Sequence, residues 1–172
     1  MRDSDRAEFV DFVTRRYSSL CRTAYLLTGS HHTAEDVVQS ALTQAFVHWA
    51  RVRRADYPDA YVQRIVVNEV ASLGRRRWTS EVVLGDMVGL RSEAVQVGPE
   101  ERVVARQDMA AALASLTLRQ RTVLVLRYYD GLSEAEIAEV LGIRPGSVKG
   151  HARAGLIALG VRLSGDSLKE RA

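Results

Sequence analysis

The sequence predicts an all-α protein of two small helical domains joined by a flexible linker, with a helix-turn-helix in the C-terminal domain. Over most of the chain, apolar residues recur at three- and four-residue spacing, the period of an amphipathic helix. Several of these segments begin at a capping residue and end at a glycine. The periodicity fails between Thr79 and Gly98, where glycines separate short apolar runs, and this indicates a linker. The predicted divisions are a first domain over 1–78, a linker over 79–98, a second domain over 99–163 and a polar tail over 164–172.

Composition limits the classes of protein to consider. The chain has 172 residues, 47% of them hydrophobic, which is enough for one domain or two small ones with a core. Its net charge is only +3, but clustered arginines indicate locally basic surfaces. Cys21 is the single cysteine, which excludes an internal disulfide. No apolar run approaches the ~18 residues of a membrane span, and the N-terminus has no signal-peptide pattern, so we expect a cytoplasmic protein.

The first two predicted helices leave one polar face available for a partner. We expect helix one to run from Asp5 to Leu27, with Asp5 as its cap, and helix two to run from Thr33 to Val52, with Thr33 as its cap. Both carry apolar residues at helical spacing, and Phe46 belongs to the apolar stripe of helix two. The polar face of helix two holds Asp36, Gln39 and Thr43.

No constellation in the sequence indicates catalysis or a bound metal. His31 and His32 are adjacent, and neighbouring histidines do not converge on one ion in a helix or strand. A turn at a helix end explains the pair better. No nucleophile–base pair, ligand cluster or phosphate-binding loop is recognisable. We therefore expect neither catalytic residues nor a metal nor a cofactor.

A third helix, from Pro58 to about Trp78, follows a basic loop and is itself basic at its end. Arginine near a helix C-terminus interacts favourably with the helix dipole, which is one explanation. Three consecutive arginines exceed what a cap requires, and basic residues beside aromatic ones also suit single-stranded nucleic acid. The candidate residues for that second explanation are Tyr61, Arg64, Asn68, Arg75, Arg76 and Arg77.

The C-terminal third carries the local signals of a helix-turn-helix. After a helix from Pro99 to about Ser115, Thr117 caps a helix expected over Leu118–Tyr129. Ser133 begins a capping box, Gly142 follows the next helix as a left-handed C-terminal residue, and Pro145 opens the last helix. Val148 then lies at the offset that packs against small Ala138, as in a helix-turn-helix.

The second helix of this motif has charge of one sign. From Leu141 to Leu163 there is no acidic residue. A helix that enters a DNA groove requires an excess of positive charge, because each phosphate that it neutralises releases counterions. A solvated basic face on a helical hairpin is the alternative. Three glycines, Gly146, Gly150 and Gly155, each weaken the helix by up to ~1 kcal/mol relative to alanine. The residues that we expect to contact DNA are Arg144, Ser147, Lys149, His151 and Arg153.

Three motifs in this order resemble those of the extracytoplasmic-function (ECF) sigma factors, the small two-domain class of bacterial sigma factors. Ala34–Gln39 is similar to their helix that binds core RNA polymerase. Asp59–Glu69, followed by three arginines, is similar to their promoter-melting helix, and Leu118–Leu159 to their −35-binding domain. Within the class, Arg22–Gly29 and Val52–Ala55 resemble an actinobacterial subgroup.

The resemblance implies an alternative sigma factor that binds core RNA polymerase, recognises the −35 and −10 promoter elements and helps to open the DNA. It implies that the polar face of helix two contacts the polymerase and that the C-terminal basic set lies in the −35 major groove. It implies that Asn68, near Tyr61 and Arg64, lines a pocket for a base flipped from the non-template strand, with the loop from Val52 to Tyr57 against it. An anti-sigma factor becomes a candidate partner.

The chain departs from the family pattern at one place. It has Gly150-His151-Ala152 where the family often has Ser-Arg-Leu, and Val148–His151 is nearer to the LuxR-type regulators. A LuxR-type regulator that binds duplex DNA as a dimer is therefore the alternative function. It explains the C-terminal third equally well but leaves Asn68 and the three arginines unexplained. A helical adaptor without DNA contact is a third possibility.

Overall fold

The computed structural model of the chain describes residues 3–81 and 109–169, with side chains described over 4–75 and 109–160. The secondary structure of these residues consists of helices joined by turns and loops, without a strand, which confirms the predicted all-α class. The chain divides into two compact units, the first comprising Met1–Tyr25 and Ser30–Glu93 and the second Leu26–Gly29 and Ala94–Ala172. Most of the predicted linker, 82–98, lies outside the described residues. Among the helices of the described part, none has the length and apolar character needed to cross a membrane.

Four helices are described in the N-terminal part of the chain, in the order α1 (Asp3–Thr28), α2 (His31–Val47), α3 (Trp49–Val52) and α4 (Pro58–Glu81). Trp49 joins α1 to α3, with its ring centroid 5.2 Å from that of Phe9 and 5.4 Å from that of Phe12. Between α2 and α4, Glu69 accepts hydrogen bonds from Ser40 and Gln44 at 3.1 and 2.6 Å. The buried core includes Phe12, Val38, Ala41, Ala45, Trp49, Val52, Val62 and Val66.

Two of the predicted helix starts are wrong. Asp5 does not cap α1, because the helix already includes Asp3 and the Asp5 carboxylate is buried beside Arg53. The cap of α2 is Ser30, whose hydroxyl accepts a hydrogen bond from the N–H of Thr33 at 3.3 Å. Gly29, with φ of +73°, separates this cap from the end of α1.

The single helix predicted over Thr33–Val52 is also wrong, since it is two helices that meet at His48. The His48 N–H bonds to the carbonyls of Gln44 and Phe46, which closes α2, and α3 starts at Trp49. The break lets both Trp49 and Val52 enter the core. Tertiary packing has overridden the continuous apolar pattern.

The C-terminal part contains the predicted helix-turn-helix. Residues 109–114 are helical and constitute the described part of α5; the predicted start at Pro99 lies outside the described residues. They are followed by α6 (Leu118–Leu124), a π-helical turn (Val125–Tyr129), α7 (Glu134–Leu141) and α8 (Pro145–Lys169). The predicted start at Leu118 and end at Tyr129 are confirmed, with the last turn widened to π-helical hydrogen bonding.

Local signals in this unit behave as expected. Thr117 and Ser133 each form a complete capping box, and Gly142 adopts the left-handed conformation with φ of +62°. Ala138 and Val148 are both buried in the angle between α7 and α8. The backbone of α8 continues past Leu163 to Lys169, into the segment predicted as a polar tail; residues 170–172 lie outside the described part.

Candidate functional site

One face of α4 carries the N-terminal candidate residues. Tyr61, Arg64, Asn68 and Arg75 are spaced so that, at 100° per residue, they lie in one narrow stripe along the helix. Arg64, Asn68 and Arg75 are exposed and Tyr61 is half-buried, while the opposite side of the helix enters the core. The backbone of α4 continues through 76–77, but the side chains of Arg76 and Arg77 lie outside the described residues.

An open depression lies at the start of this stripe. Its volume is about 470 Å³, which falls within the ~300–1,000 Å³ typical of ligand sites. One tyrosine and two arginines contribute to its walls, and a flat ring could stack or hydrogen-bond beside such residues. The lining residues are Ala50, Arg51, Arg54, Ala55 and Tyr61.

The depression and the predicted base pocket agree only in part. Tyr61 and the loop residues Arg54 and Ala55 line the depression, whereas Asn68 lies two turns further along α4 and is not among the lining residues. Their role in base binding stays a prediction. Arg51 also lines the depression, but it belongs to α3 and was not among the predicted site residues. Its positive charge was the feature of the sequence that could have identified it.

The candidate face of α2 is continuous. Asp36, Gln39 and Thr43 follow one another at spacings of three and four residues, and all three are exposed. Asp36 Oδ2 lies 3.0 Å from His32 Nδ1, and the Thr43 hydroxyl donates to the carbonyl of Gln39 at 2.8 Å. Both contacts lie within α2, and they leave the three side chains accessible to a partner.

An apolar end extends this face, and periodicity alone did not reveal it. Phe46 was expected in the apolar stripe, yet 40% of it is exposed, and Val47 beside it is 70% exposed. Phe46 packs edge-on against Phe9, with the ring centroids 5.0 Å apart. The face of α2 therefore changes from polar to apolar towards its C-terminus.

The residues doubted as metal ligands have other surroundings. The His31 ring stacks on that of Tyr25 with the centroids 4.1 Å apart, and His32 faces Asp36. Within the described part of the chain, no group of three His, Cys, Asp or Glu side chains converges as metal ligands would. Burial raises the pKa of the Cys21 thiol, which disfavours the thiolate form that a metal requires.

The five candidates of the C-terminal unit fall into two rows on α8 instead of one. Arg144, at the N-terminal end of the helix, Ser147 and His151 follow each other at spacings of three and four residues. Lys149 and Arg153 form a second row, because four residues bring them one above the other on a different flank. This division into two rows follows from the spacing of the residues in the sequence and the 3.6-residue period of the helix.

Glu134 on α7 lies close to one of these cations. Its Oε2 atom lies 3.5 Å from Lys149 Nζ, while its Oε1 atom accepts from Arg127 Nη1 at 2.9 Å. The Arg127 guanidinium also lies 5.6 Å from the ring centroid of exposed Tyr128. Glu136, also on α7, belongs to the capping box of that helix. Hydrogen bonds from Ser133 lower the pKa of the Glu136 carboxyl, which keeps this group of the capping box charged.

Comparison with known proteins gives these surfaces a common family. Residues 12–79 match sigma-70 region 2, and residues 106–159 match sigma-70 region 4. The ECF RNA polymerase sigma factor SigL of Mycobacterium tuberculosis is 36% identical over 138 residues, which cover 76% of this chain and 74% of the relative.

The chain belongs to the ECF RNA polymerase sigma factors. It is an alternative sigma factor, and the family and function predicted from its sequence are confirmed. The RNA polymerase sigma-E factor of Streptomyces coelicolor is 29% identical over 165 residues, covering 96% of this sigma factor and 91% of the relative. The sigma factor RpoE of Bartonella quintana, solved with the anti-sigma factor NepR, has the same fold, with a TM-score of 0.78 and 24% identity over 91% of this chain and 97% of that one.

The two family matches divide the surfaces described above. The region 2 match contains the α2 face, the depression and the α4 stripe, and the region 4 match contains α7 and the start of α8. A LuxR-type regulator does not account for region 2, so the alternative function is not retained.

Proposed function

We propose that this sigma factor uses the α4 stripe and the adjoining depression to hold the −10 element open, and α8 to bind the −35 element. The observation that carries the proposal is the position of the depression at one end of the α4 stripe. One tyrosine and two arginines line a depression there, and Arg64, Asn68 and Arg75 continue along one exposed face.

Capture of an unstacked base offsets part of the free-energy cost of melting. Removing a base from the stack costs a few kcal/mol, and stacking on an aromatic side chain returns ~1–3 kcal/mol per base. Tyr61 offers that ring, and Arg51 and Arg54 offer planar donors beside it. Asn68, with both a donor and an acceptor amide, would contact the strand where it leaves the depression.

The two rows on α8 suit two kinds of DNA contact. Recognition helices read base edges mainly with their N-terminal residues, which favours Arg144, Ser147 and His151 for base contact. Lys149 and Arg153, on the other flank, suit phosphate oxygens, which position the helix without reading sequence. Under this assignment the −35 preference depends mainly on the first row.

The α2 face is the proposed contact with core RNA polymerase. A polar stripe of Asp36, Gln39 and Thr43 that ends in exposed Phe46 and Val47 has the mixture of polar rim and apolar centre typical of protein interfaces. An anti-sigma factor is a further proposed partner, supported by the Bartonella relative that was solved with one. The role is that of a non-enzymatic initiation factor acting in the cytoplasm, where promoter DNA lies, and it requires no cofactor.

In vitro transcription with purified core polymerase, with and without this sigma factor, tests the function. Asn68→Ala is the informative variant, since it removes the amide from the α4 stripe and leaves α8 unchanged. We expect promoter opening, measured by permanganate reactivity, to fall by about tenfold. Binding to a duplex −35 fragment should stay within about twofold. Equal losses in the two assays would exclude Asn68 from the opening step.

A further inference from the structure

The loop between α3 and α4, residues 53–57, forms one wall of the depression. Its backbone bonds are local, with Arg54 N–H donating to the Arg51 carbonyl at 3.3 Å and Ala55 N–H donating to the Val52 carbonyl at 3.1 Å. At the other end of the loop, the Tyr61 N–H donates to the Tyr57 carbonyl at 3.1 Å, which ties that end to α4. The backbone N–H groups of Arg54 and Ala55 bond to α3 and not to α4, so contacts from outside the loop also bear on the width of the depression.

Ion pairs from α1 lie at both ends of this loop. At its start, Arg53 Nη1 lies 3.1 Å from Asp5 Oδ1 and 3.5 Å from Glu8 Oε2. Just beyond its end, Asp59 Oδ1 in the first turn of α4 lies 3.5 Å from Arg16 Nε. One helix therefore contacts both borders of the segment that lines the depression, although none of the lining residues belongs to α1.

The Asp5–Arg53 pair has the burial that gives an ion pair structural weight. Its side chains are 11% and 31% exposed. Removing Arg53 leaves the Asp5 carboxylate as a poorly solvated charge, which is strongly destabilising, whereas removing the Asp5 charge leaves Arg53 with Glu8 alone. The Asp11–Arg15 pair on the same helix is 68% and 64% exposed. Pairs as exposed as that contribute little. The molecule thus provides a matched internal comparison.

We propose that Asp5 and Arg53 are positioning residues for base capture, and that their ion pair sets the loop at the distance from Tyr61 that an unstacked base requires. The inference rests on the proposed role of the depression. Neither side chain contacts the base; Arg53 acts through its neighbours Arg54 and Ala55, which line the cavity. A loosened pair would leave the cavity wider and its guanidinium less well placed.

Single-stranded −10 oligonucleotides test this with the full-length sigma factor bound to core polymerase. Each nucleotide is made abasic in turn, and the position at which the loss of the base weakens wild-type binding most identifies the captured base. For Asp5→Asn we expect about tenfold weaker binding of the intact strand and little change for the abasic strand. The preference for the base therefore collapses. Asp11→Asn, the matched control, should keep that preference.

Rescue separates positioning from general stability. Exchanging the charges, with Asp5→Arg and Arg53→Asp together, should restore part of the preference that either single change removes. Arg53→Lys keeps the charge but loses the planar fork, and we expect an intermediate preference. This variant also serves if Asp5→Asn is poorly folded, which circular dichroism of each protein will reveal.

The outcomes distinguish this inference from the function beneath it. Equal weakening of intact and abasic strands in Asp5→Asn would show a merely structural role and overturn the inference, as would full retention of the preference. If no abasic position weakens the wild type, base capture itself is refuted and the inference falls with it.

Discussion

At the scale of single residues, close packing explains why α8 contains Gly155, although glycine disfavours a helix. A Cβ atom at Gly155 would lie 2.9 Å from Leu124 Cδ1 and 3.4 Å from Gln120 Cβ, so α8 approaches α6 too closely for a side chain. At Gly146 and Gly150 the same atom would meet nothing within 4 Å. Only one of the three glycines is therefore explained by the packing of the described residues.

Substitution by alanine should give opposite results at two of these sites. Gly150→Ala gains helix propensity in open space and should stabilise the protein by up to ~1 kcal/mol. Gly155→Ala forces the buried Leu124 side chain to move, and overpacking of ~1–3 kcal/mol should exceed the same gain. Thermal unfolding followed by circular dichroism will compare them. A Gly155→Ala protein as stable as Gly150→Ala would contradict the close approach.

Residue identity predicted some site features but not the partners that lie far away in sequence. The basic and aromatic character of Arg54 and Tyr61 indicated that they share a surface, and both line the depression; their contact with nucleic acid stays a prediction. The pairing of Asp5 with Arg53 was unpredictable from local patterns, because Asp5 has the residue type and position of an N-terminal cap. Its role depends on a loop that the fold brings to it.

At the scale of elements, helix ends were predictable wherever the determining groups are neighbours in sequence. The capping boxes at Thr117 and Ser133 and the left-handed Gly142 all satisfy orphan backbone groups within four residues. The break at His48 was not predictable in this way. It depends on how Trp49 and Val52 pack against α1 and α4, and an unbroken apolar period gives no sign of it.

On α8, the two rows should respond differently to salt. If Lys149 contacts a phosphate, Lys149→Ala should weaken −35 duplex binding and reduce the slope of log affinity against log salt concentration by about 1. Ser147→Ala, in the other row, should alter sequence preference and leave the slope unchanged. An unaltered slope in Lys149→Ala would remove its phosphate role.

The Glu134 carboxylate gives a companion prediction. Glu134→Gln releases Lys149 and removes a negative charge near the DNA, so we expect about twofold to fivefold tighter binding at low salt. The matched control is Glu139→Gln, which neutralises an exposed carboxylate on the same helix. Equal tightening in both variants would show a general charge effect rather than competition for Lys149.

At the scale of the whole molecule, the chain has two compact units, and the proposed function places melting in the first and duplex binding in the second. Changes in separate, non-contacting sites usually add in free energy to within ~0.5 kcal/mol. Asn68→Ala and Lys149→Ala should therefore combine additively in the overall constant for open-complex formation. A double-mutant cycle measured by permanganate reactivity will test this, and a coupling well above that limit would refute independence of the two sites.

The uninterrupted course of α1 has a consequence for the first unit. Asp5 and Arg16 belong to one helix, and eleven residues of α-helix give a nearly rigid rise of about 17 Å between their Cα atoms. Both borders of the 53–57 loop contact the same stiff helix, through the half-buried Asp5–Arg53 pair at one end and the more exposed Arg16–Asp59 pair at the other. A bend in α1 between Asp5 and Arg16 would thus deform the depression, although no residue of α1 lines it.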